Sequence, residues 1–448
     1  MSEVILGDCL TEIPKLASES VDLMATDPPY GISFMGKDWD KAVPSVEVWR
    51  ECFRVMKHGS FAFVMSLPRL DVLSQMSMRL QEGGFRVDFT PLFWAFASGF
   101  PKATNISKAV DKKLGIERGR EELGHRSSHE WRNKEGRTDL LETIPDGRPV
   151  SPEAKALNGS YAGFQPKPAV EVIIVAMKPL SEKTYIKQAL KNGKGVTWLD
   201  EGRLPFENDN LSRPLNKVKC SSIYGEYEHR GNPNNPSDTL KGRFPANLIV
   251  SEDVLNDGQN HDSGYMDSIA STTERRIYGI YADSQEERRV QAVGDSGSFS
   301  RFFSLDAWWD KKLQELPAEV RKAFPFLIEP KASKEERNEG LDGMPAKVAN
   351  PNYGKGGFSR PTDEPERQIA PAKNHHPTVK PLAIMSYLIT LGSRRGDTVL
   401  DPFAGSGTTV MAAKMLGRKG IGIEINPDYA RIAEARVQSI ATMEAWIT

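Results

Sequence analysis

The pair Pro28-Pro29, directly after the run Val21-Asp22-Leu23-Met24-Ala25-Thr26, is the strongest constraint on how this chain folds. Neither proline has an N–H to give a neighbouring strand, so no sheet ladder continues through them. The run before them has the apolar content of a buried strand. The chain therefore predicts a strand that stops at Thr26 and presents Asp27, a stiff backbone and Tyr30 at its carboxyl end. In a parallel α/β sheet, ligands bind at that end.

Asp27-Pro28-Pro29-Tyr30 suits one kind of chemistry. The exocyclic amino group of a base is a poor nucleophile, because its lone pair is delocalised into the ring. A carboxylate (Asp27) and a carbonyl (Pro28) that accept its two hydrogens would hold that lone pair out of the ring plane. Pro28 and Pro29 fix the carbonyl, and Tyr30 offers a face on which an extruded base can stack. The structural alternative is a proline turn with a capping Asp and a core Tyr.

Around this motif, residues 1–95 alternate strand and helix: strands at Val4-Ile5-Leu6, at Phe61 to Met65 and at Phe85 to Trp94, helices from Val46 to Met56 and from Pro68 to Leu80. That alternation argues an α/β fold with a doubly wound, mostly parallel sheet, here expected to have seven strands. Asp8 follows the first strand and so faces the same edge; a helix N-cap is its structural alternative. The pattern fails over residues 96–168, apart from a helix at Asn105 to Leu114, and returns at Val170 to Met177, the clearest strand of the middle. From Lys178 to Asn374 periodicity is poor, with islands at Asn247 to Val250, Phe299 to Leu305 and Trp308 to Phe324. So long a stretch predicts an inserted domain plus loops outside the sheet.

Order resumes near the end. Pro381 to Leu391 reads as a helix with Leu382, Met385, Leu388 and Ile389 on one side. Thr398-Val399-Leu400 reads as a strand running into Asp401-Pro402-Phe403-Ala404-Gly405-Ser406-Gly407-Thr408-Thr409, then a helix, then the strand Gly420-Ile421-Gly422-Ile423 ending in Glu424. Strand, glycine loop, helix, strand, acid is the layout of an adenosine half-site: Gly405 and Gly407 admit a close ligand, the helix N-terminus offers N–H donors, and Glu424 is spaced to accept from ribose hydroxyls. The third glycine of G-x-G-x-x-G is absent, since Val410 stands there. A tight turn with a surface Glu is the alternative.

Taken together, Asp27-Pro28-Pro29-Tyr30 and Phe403-Ala404-Gly405-Ser406-Gly407 resemble the S-adenosylmethionine-dependent DNA amino-methyltransferases. The order, catalytic motif first and glycine loop last, is similar to the circularly permuted beta class. The resemblance extends to Gly7-Asp8, Trp94, Val170 through Lys178, and His376-Pro377-Thr378-Val379-Lys380-Pro381. Gly99 to Asn105 and Lys331 to Asn338 look like segments of phage and prophage members. The resemblance implies a Rossmann-like methyltransferase sheet with a large inserted target-recognition region. It implies that Asp27, Pro28, Pro29 and Tyr30 form the catalytic set. Asp8, Asp27, His376, Thr378, Lys380, Asp401, Phe403, Gly405, Gly407, Thr408 and Glu424 would hold S-adenosyl-L-methionine, with Asp8 near the adenine and His376, Thr378 and Lys380 near the methionine part. The implied division is 1–100 catalytic half, 101–168 DNA-contacting insertion, 169–178 sheet strand, 179–375 target-recognition region and 376–448 cofactor half. The implied reaction is methyl transfer to adenine N6 in double-stranded DNA, as in restriction–modification systems. Cytosine N4 remains open, as do an inactive DNA-binding protein and an enzyme acting on RNA or on a protein glutamine. Asp in the first motif position leans towards adenine.

Composition narrows the rest. A hydrophobic fraction of 39% with 27% charged residues is that of a globular protein. No apolar run approaches a membrane span, and the N-terminus has no signal-peptide pattern, so the expected compartment is the cytoplasm of a bacterial or phage-infected cell. The net charge of −1 neither supports nor excludes nucleic acid. Cytosine C5 methylation needs a thiolate from a Pro-Cys pair, and none of Cys9, Cys52 and Cys220 follows a proline. Those cysteines lack zinc spacing, and His125 and His129 have no third ligand nearby, so no metal is expected. Arg275-Arg276 and Arg288-Arg289 read as solvated helix faces, and Trp308-Trp309 as a helix packing on the inserted domain. The chain leaves monomer and homodimer open.

Overall fold

The computed structural model describes residues 2–32, 40–96, 103–118, 120–122, 143–145, 148–164, 166, 169–205, 218–222, 225–229, 242–251, 253–256, 258–259, 261–262, 296–315, 334–347 and 373–440. Phe34, Lys37, Trp39, Gly99 to Lys102, His125, His129, both arginine pairs and Lys331 to Ser333 lie outside them. The chain divides into two compact units, one of Met1–Ala97, Val170–Ala349 and Ala370–Thr448, the other of Ser98–Ala169 and Asn350–Ile369.

The first unit is built on an eight-stranded sheet. In chain order its strands are β1 (Glu3–Leu6), β2 (Leu23–Thr26), β3 (Phe61–Ser66), β4 (Leu92–Ala95), β5 (Val170–Met177), β6 (Leu248–Val250), β7 (Thr398–Asp401) and β8 (Lys419–Glu424). Their order across the sheet is β1-β8-β7-β2-β3-β5-β4-β6. Every pairing is parallel except those of β5, which runs antiparallel to both β3 and β4. The α/β, mostly parallel fold class read from the sequence holds. Seven strands become eight because Leu248–Val250, expected outside the sheet, pairs in parallel with β4. The last two strands slot between the first and the second, so the distant motifs start from adjacent strands.

Local chemistry explains two further departures. The strand expected from Phe85 to Trp94 is only Leu92–Ala95. Arg86 makes a single antiparallel bridge to Met177, and pairing resumes only at Leu92, directly after Pro91, which has no N–H to give. The helix Leu382–Gly392 is buried on all sides rather than along one stripe. It lies so close to the sheet that a Cβ on Gly392 would fall 2.5 Å from a Leu23 methyl. Its far side receives the helix Leu305–Gln314, where Trp308 meets Tyr387 edge-on at 4.9 Å and donates from Nε1 to the Glu201 carbonyl. Trp308 and Trp309 thus pack into the core of the sheet unit and not on a separate inserted domain.

In the second unit, Ile106–Lys113 packs with Pro152–Ala156. Buried Asp111 ties them: it pairs with Arg118 at 2.8 Å and accepts from the Val150 and Ser151 N–H groups and the Ser151 hydroxyl. Among the described residues, no helix is long and apolar enough to cross a membrane.

Candidate active site

The carboxyl ends of β1, β8, β7 and β2 lie side by side, and each delivers a residue singled out in the sequence. β1 ends at Leu6, and Asp8 then caps the helix Cys9–Glu12, accepting the Leu10 N–H at 2.8 Å. The Gly7 N–H donates to the Glu424 carbonyl at 3.0 Å, joining that corner to β8. β7 ends in Asp401 and β2 in Thr26, whose hydroxyl donates to Asp401 Oδ1 at 2.6 Å. The same oxygen accepts the Phe403 N–H at 3.1 Å. One buried carboxylate therefore joins the D-P-P-Y strand to the start of the glycine turn, across 375 positions of sequence. Phe403 meets Trp49 edge-on at 6.2 Å.

Gly405 and Gly407 both adopt left-handed φ, at +54° and +78°, and Gly407 caps the helix Thr408–Met415. A Cβ on Gly405 would stand 2.9 Å from His376 Nε2, so only glycine lets the turn lie against that ring. Glu424 accepts the Gly405 N–H at 2.8 Å and, with its other oxygen, the Asn426 N–H at 2.8 Å. Burial raises Glu424 to a pKa of about 7 in spite of those bonds, and burial raises Asp401 to about 6 against the pull of Thr26.

These raised values imply a pH effect. A carboxyl whose folded pKa lies above its unfolded value favours the folded state at low pH and loses that contribution as pH rises through the folded value. For Glu424 the window runs from its ordinary value of 4.5 to about 7. The ligand-free protein should therefore lose stability relative to a Glu424→Gln variant between pH 4.5 and 7, by roughly 3 kcal/mol. Denaturant unfolding of both proteins at pH 5 and pH 8 checks this; parallel pH dependences would contradict it.

His376 is buried against the Tyr429 ring, 4.5 Å between centroids. Burial, with help from Arg436 and Arg337, depresses it to about 3, so its imidazole is neutral at physiological pH. The Thr378 N–H reaches Nδ1 at 3.3 Å, which leaves the ring proton on Nε2, towards the glycine turn. Two residues further, Lys380 points elsewhere: its ammonium is 2.9 Å from Asp27 Oδ2 and 3.1 Å from Glu171 Oε2. The Tyr30 hydroxyl donates to Asp27 Oδ1, and burial, then Asp27 and Glu171, raise the Tyr30 pKa well above its ordinary value. Pro28 is buried, while Asp27, Pro29 and Tyr30 are half-buried.

Several supporting residues escaped the sequence reading. Asp40 accepts the Tyr30 and Gly31 N–H groups at 2.7 and 2.9 Å and sets the turn after the motif. Arg436, wholly buried, donates to the Ser406 carbonyl at 2.6 Å, to the Ser406 and Thr408 hydroxyls at 3.1 and 3.2 Å, and to the Glu336 carbonyl at 3.3 Å. Glu336 caps the Leu382 N–H at 2.8 Å, and Arg337 donates to the His376 carbonyl at 3.0 Å. Two signals were legible: Glu171 is a lone charge in an apolar strand, and Arg436 interrupts the apolar face of Ile432, Ala433 and Val437. Burial pushes the Cys9 thiol up to about 12 and Cys52 well above its ordinary value, so neither is a ready thiolate.

Parts of the chain are similar to known proteins. Residues 274–435 match the family model N6_N4_Mtase. The matching family is that of the DNA methylases. The chain is similar to the type II methyltransferase M.HpaI of Haemophilus parainfluenzae, 50% identical over 64 residues, which is 14% of this chain and 20% of that one. It is 48% identical over 67 residues to the type II methyltransferase M2.LlaDCHI of Lactococcus lactis subsp. cremoris, 15% of this chain and 25% of that one. These DNA methylase alignments span a fifth to a quarter of the relatives' own length. A putative DNA modification methylase of Thermus thermophilus aligns at 15% identity over 98% of this chain and 96% of that one, with a TM-score of 0.34. The cytosine-N4-specific PvuII DNA methyltransferase aligns at 12% identity over 99% and 89%, with a TM-score of 0.38.

Proposed function

We propose that this protein is an S-adenosylmethionine-dependent DNA methyltransferase that modifies the exocyclic N6 amino group of adenine in duplex DNA, taking the base out of the helix to do so. One observation carries the reading most: the Thr26–Asp401 hydrogen bond, which joins the strand leading into Asp27 to the strand leading into the glycine turn. A methyl donor and an amino acceptor have to meet at such a junction.

The residues present fit the cofactor. Gly405 and Gly407 carry no side chain and hold left-handed φ, so the turn presents bare backbone to a ligand while packing on His376 and Ala433. Each Glu424 oxygen accepts one N–H and keeps a second lone pair for a hydroxyl. Phe403, Asp8, Thr408 and neutral His376 complete the proposed cofactor wall, with Thr378 holding the His376 tautomer. When bound, S-adenosylmethionine supplies an electrophilic methyl group on a sulfonium. Asp27 and the Pro28 carbonyl accept the two amino hydrogens of the base and free its nitrogen lone pair. Pro29 stiffens that carbonyl, and the ring of Tyr30 stacks on the base. Within 101–168 and 179–375, the residues other than those that build the sheet unit's core and hold the glycine turn are proposed to contact DNA and to read its sequence.

Incubation of the protein with tritiated S-adenosylmethionine and duplex DNA, then digestion to nucleosides, tests both levels. Label in N6-methyl-2′-deoxyadenosine is the expected result. Label in N4-methyl-2′-deoxycytidine would replace adenine by cytosine, and unlabelled DNA would overturn the reading altogether.

A further inference from the structure

Glu171 has no place in the chemistry above. It is the lone charged residue of the strand Val170–Met177, whose other residues are apolar. It sits in register with Trp94 on β4, and its two oxygens lie 3.1 and 3.4 Å from the Lys380 ammonium. That ammonium also stands 2.9 Å from Asp27 Oδ2. The side chains of Asp27, Lys380 and Glu171 are only 20%, 11% and 16% exposed, so solvent screens the cluster weakly. They come from three remote segments: the end of a parallel strand, the reversed strand, and the loop before the helix Leu382–Gly392.

We propose that Lys380 is a positioning residue for Asp27, and that Glu171 is the counter-carboxylate that fixes where its ammonium stands. This rests on the methyltransferase reading and adds to it. An ionised carboxylate offers about four lone-pair sites. On Asp27, the Tyr30 hydroxyl takes one site at Oδ1 and Lys380 one at Oδ2. The group is thus gripped at both ends and still has an open site on each oxygen for an amino hydrogen. Burial alone would pull the Lys380 pKa down, but Asp27 and Glu171 outweigh it and hold it above its ordinary value.

Without that ammonium, Asp27 and Glu171 would be neighbouring carboxylates in a poorly solvated site, where like charge pushes one of them to take up a proton. Asp401 also faces Asp27, and Asp40 faces Tyr30, so the remaining titratable groups around the motif add negative charge. A protonated Asp27 loses acceptor capacity, and the amino nitrogen keeps its lone pair in the ring. With Lys380 present, the triad carries one formal negative charge, suited to an amine that becomes positive as it gains a methyl.

In the full chain, Lys380→Met should lower kcat at pH 7 by about 10-fold, move the acid limb of the pH–rate profile upward, and leave the calorimetric Kd for S-adenosylmethionine within about twofold. Glu171→Gln, which keeps size and shape, should lower kcat by about 10-fold with unchanged KM for DNA and cofactor. Loss of S-adenosylmethionine affinity with kcat intact would make Lys380 a cofactor contact and overturn the proposal. A 13C titration of the Asp27 carboxyl separates this idea from the proposed function. In Lys380→Met its midpoint should lie above that of the wild type. An unmoved midpoint overturns the positioning role even where the wild type methylates DNA, whereas unlabelled DNA with a moved midpoint overturns only the methyltransferase reading.

Discussion

Asp27→Ala should abolish methyl transfer, with a fall in kcat of about 1000-fold or more and little change in stability. The carboxylate is the one charged acceptor in the motif Asp27-Pro28-Pro29-Tyr30, and no neighbour can stand in for it. Glu171 is held by Lys380 at the far side of the ammonium, and Asp401 is engaged by Thr26 and Phe403. The fold should tolerate the change, because Lys380 keeps Glu171 as its counterion. Tyr30 loses a hydrogen-bond acceptor, but the truncated side chain leaves space at the half-buried Asp27 position for a water to replace it. Transfer of label from S-adenosylmethionine, together with a melting curve, checks both halves. A variant that folds and retains a tenth of the activity would remove Asp27 from the chemistry.

The second large effect is expected at a residue far from the reacting atoms. Arg436→Met should destabilise the protein by about 4 kcal/mol and loosen the glycine turn. The methionine nearly fills the volume, so the loss is one of hydrogen bonds and not of packing. The Ser406 and Glu336 carbonyls and the Ser406 and Thr408 hydroxyls all accept from this guanidinium, and Ser406 and Thr408 are buried. Acceptors left bare in such a place cost about 1–3 kcal/mol each. Part of this is offset, because burial already disfavours the Arg436 charge and lowers its pKa to about 10. Lysine should rescue little, since one ammonium cannot reproduce the planar fork. Chemical denaturation gives the stability change, and S-adenosylmethionine titration shows the turn's share of it. A change under 1 kcal/mol would mean that the turn is self-supporting.

The fold was legible where a chemical limit forced it. Pro28 and Pro29 had to end a strand, and Leu23–Thr26 ends there. The glycine loop Gly405-Ser406-Gly407 had to be followed by a helix, and Gly407 caps Thr408–Met415. The sheet's edge was less legible. Leu248–Val250 is three residues long and owes its place to pairing with β4, a partner that no local pattern names. The all-round burial of Leu382–Gly392 was hidden for the same reason, since it depends on what arrives from Leu305–Gln314.

The candidate site divides similarly. Residues carried by motifs were found at the strand ends where expected: Asp8, Asp27, Asp401, Gly405 and Glu424. The residues that hold them were not found, because their partners are remote in sequence. Arg337 reaches the His376 carbonyl across 39 positions, Lys380 reaches Glu171 across 209, and nothing within a window of either predicts the meeting.

The interleaving of β7 and β8 between β1 and β2 has a consequence for biosynthesis. A ribosome delivers the amino-terminal strands long before their central neighbours exist. Until the last stretch emerges, β2 has an open flank where β7 will pair, and an open flank invites mispairing. Contacts of such sequence separation form slowly, because the intervening polymer must close a long loop first. Closure of the sheet should therefore wait on the arrival of β7 and β8, whatever order the flanking strands fold in.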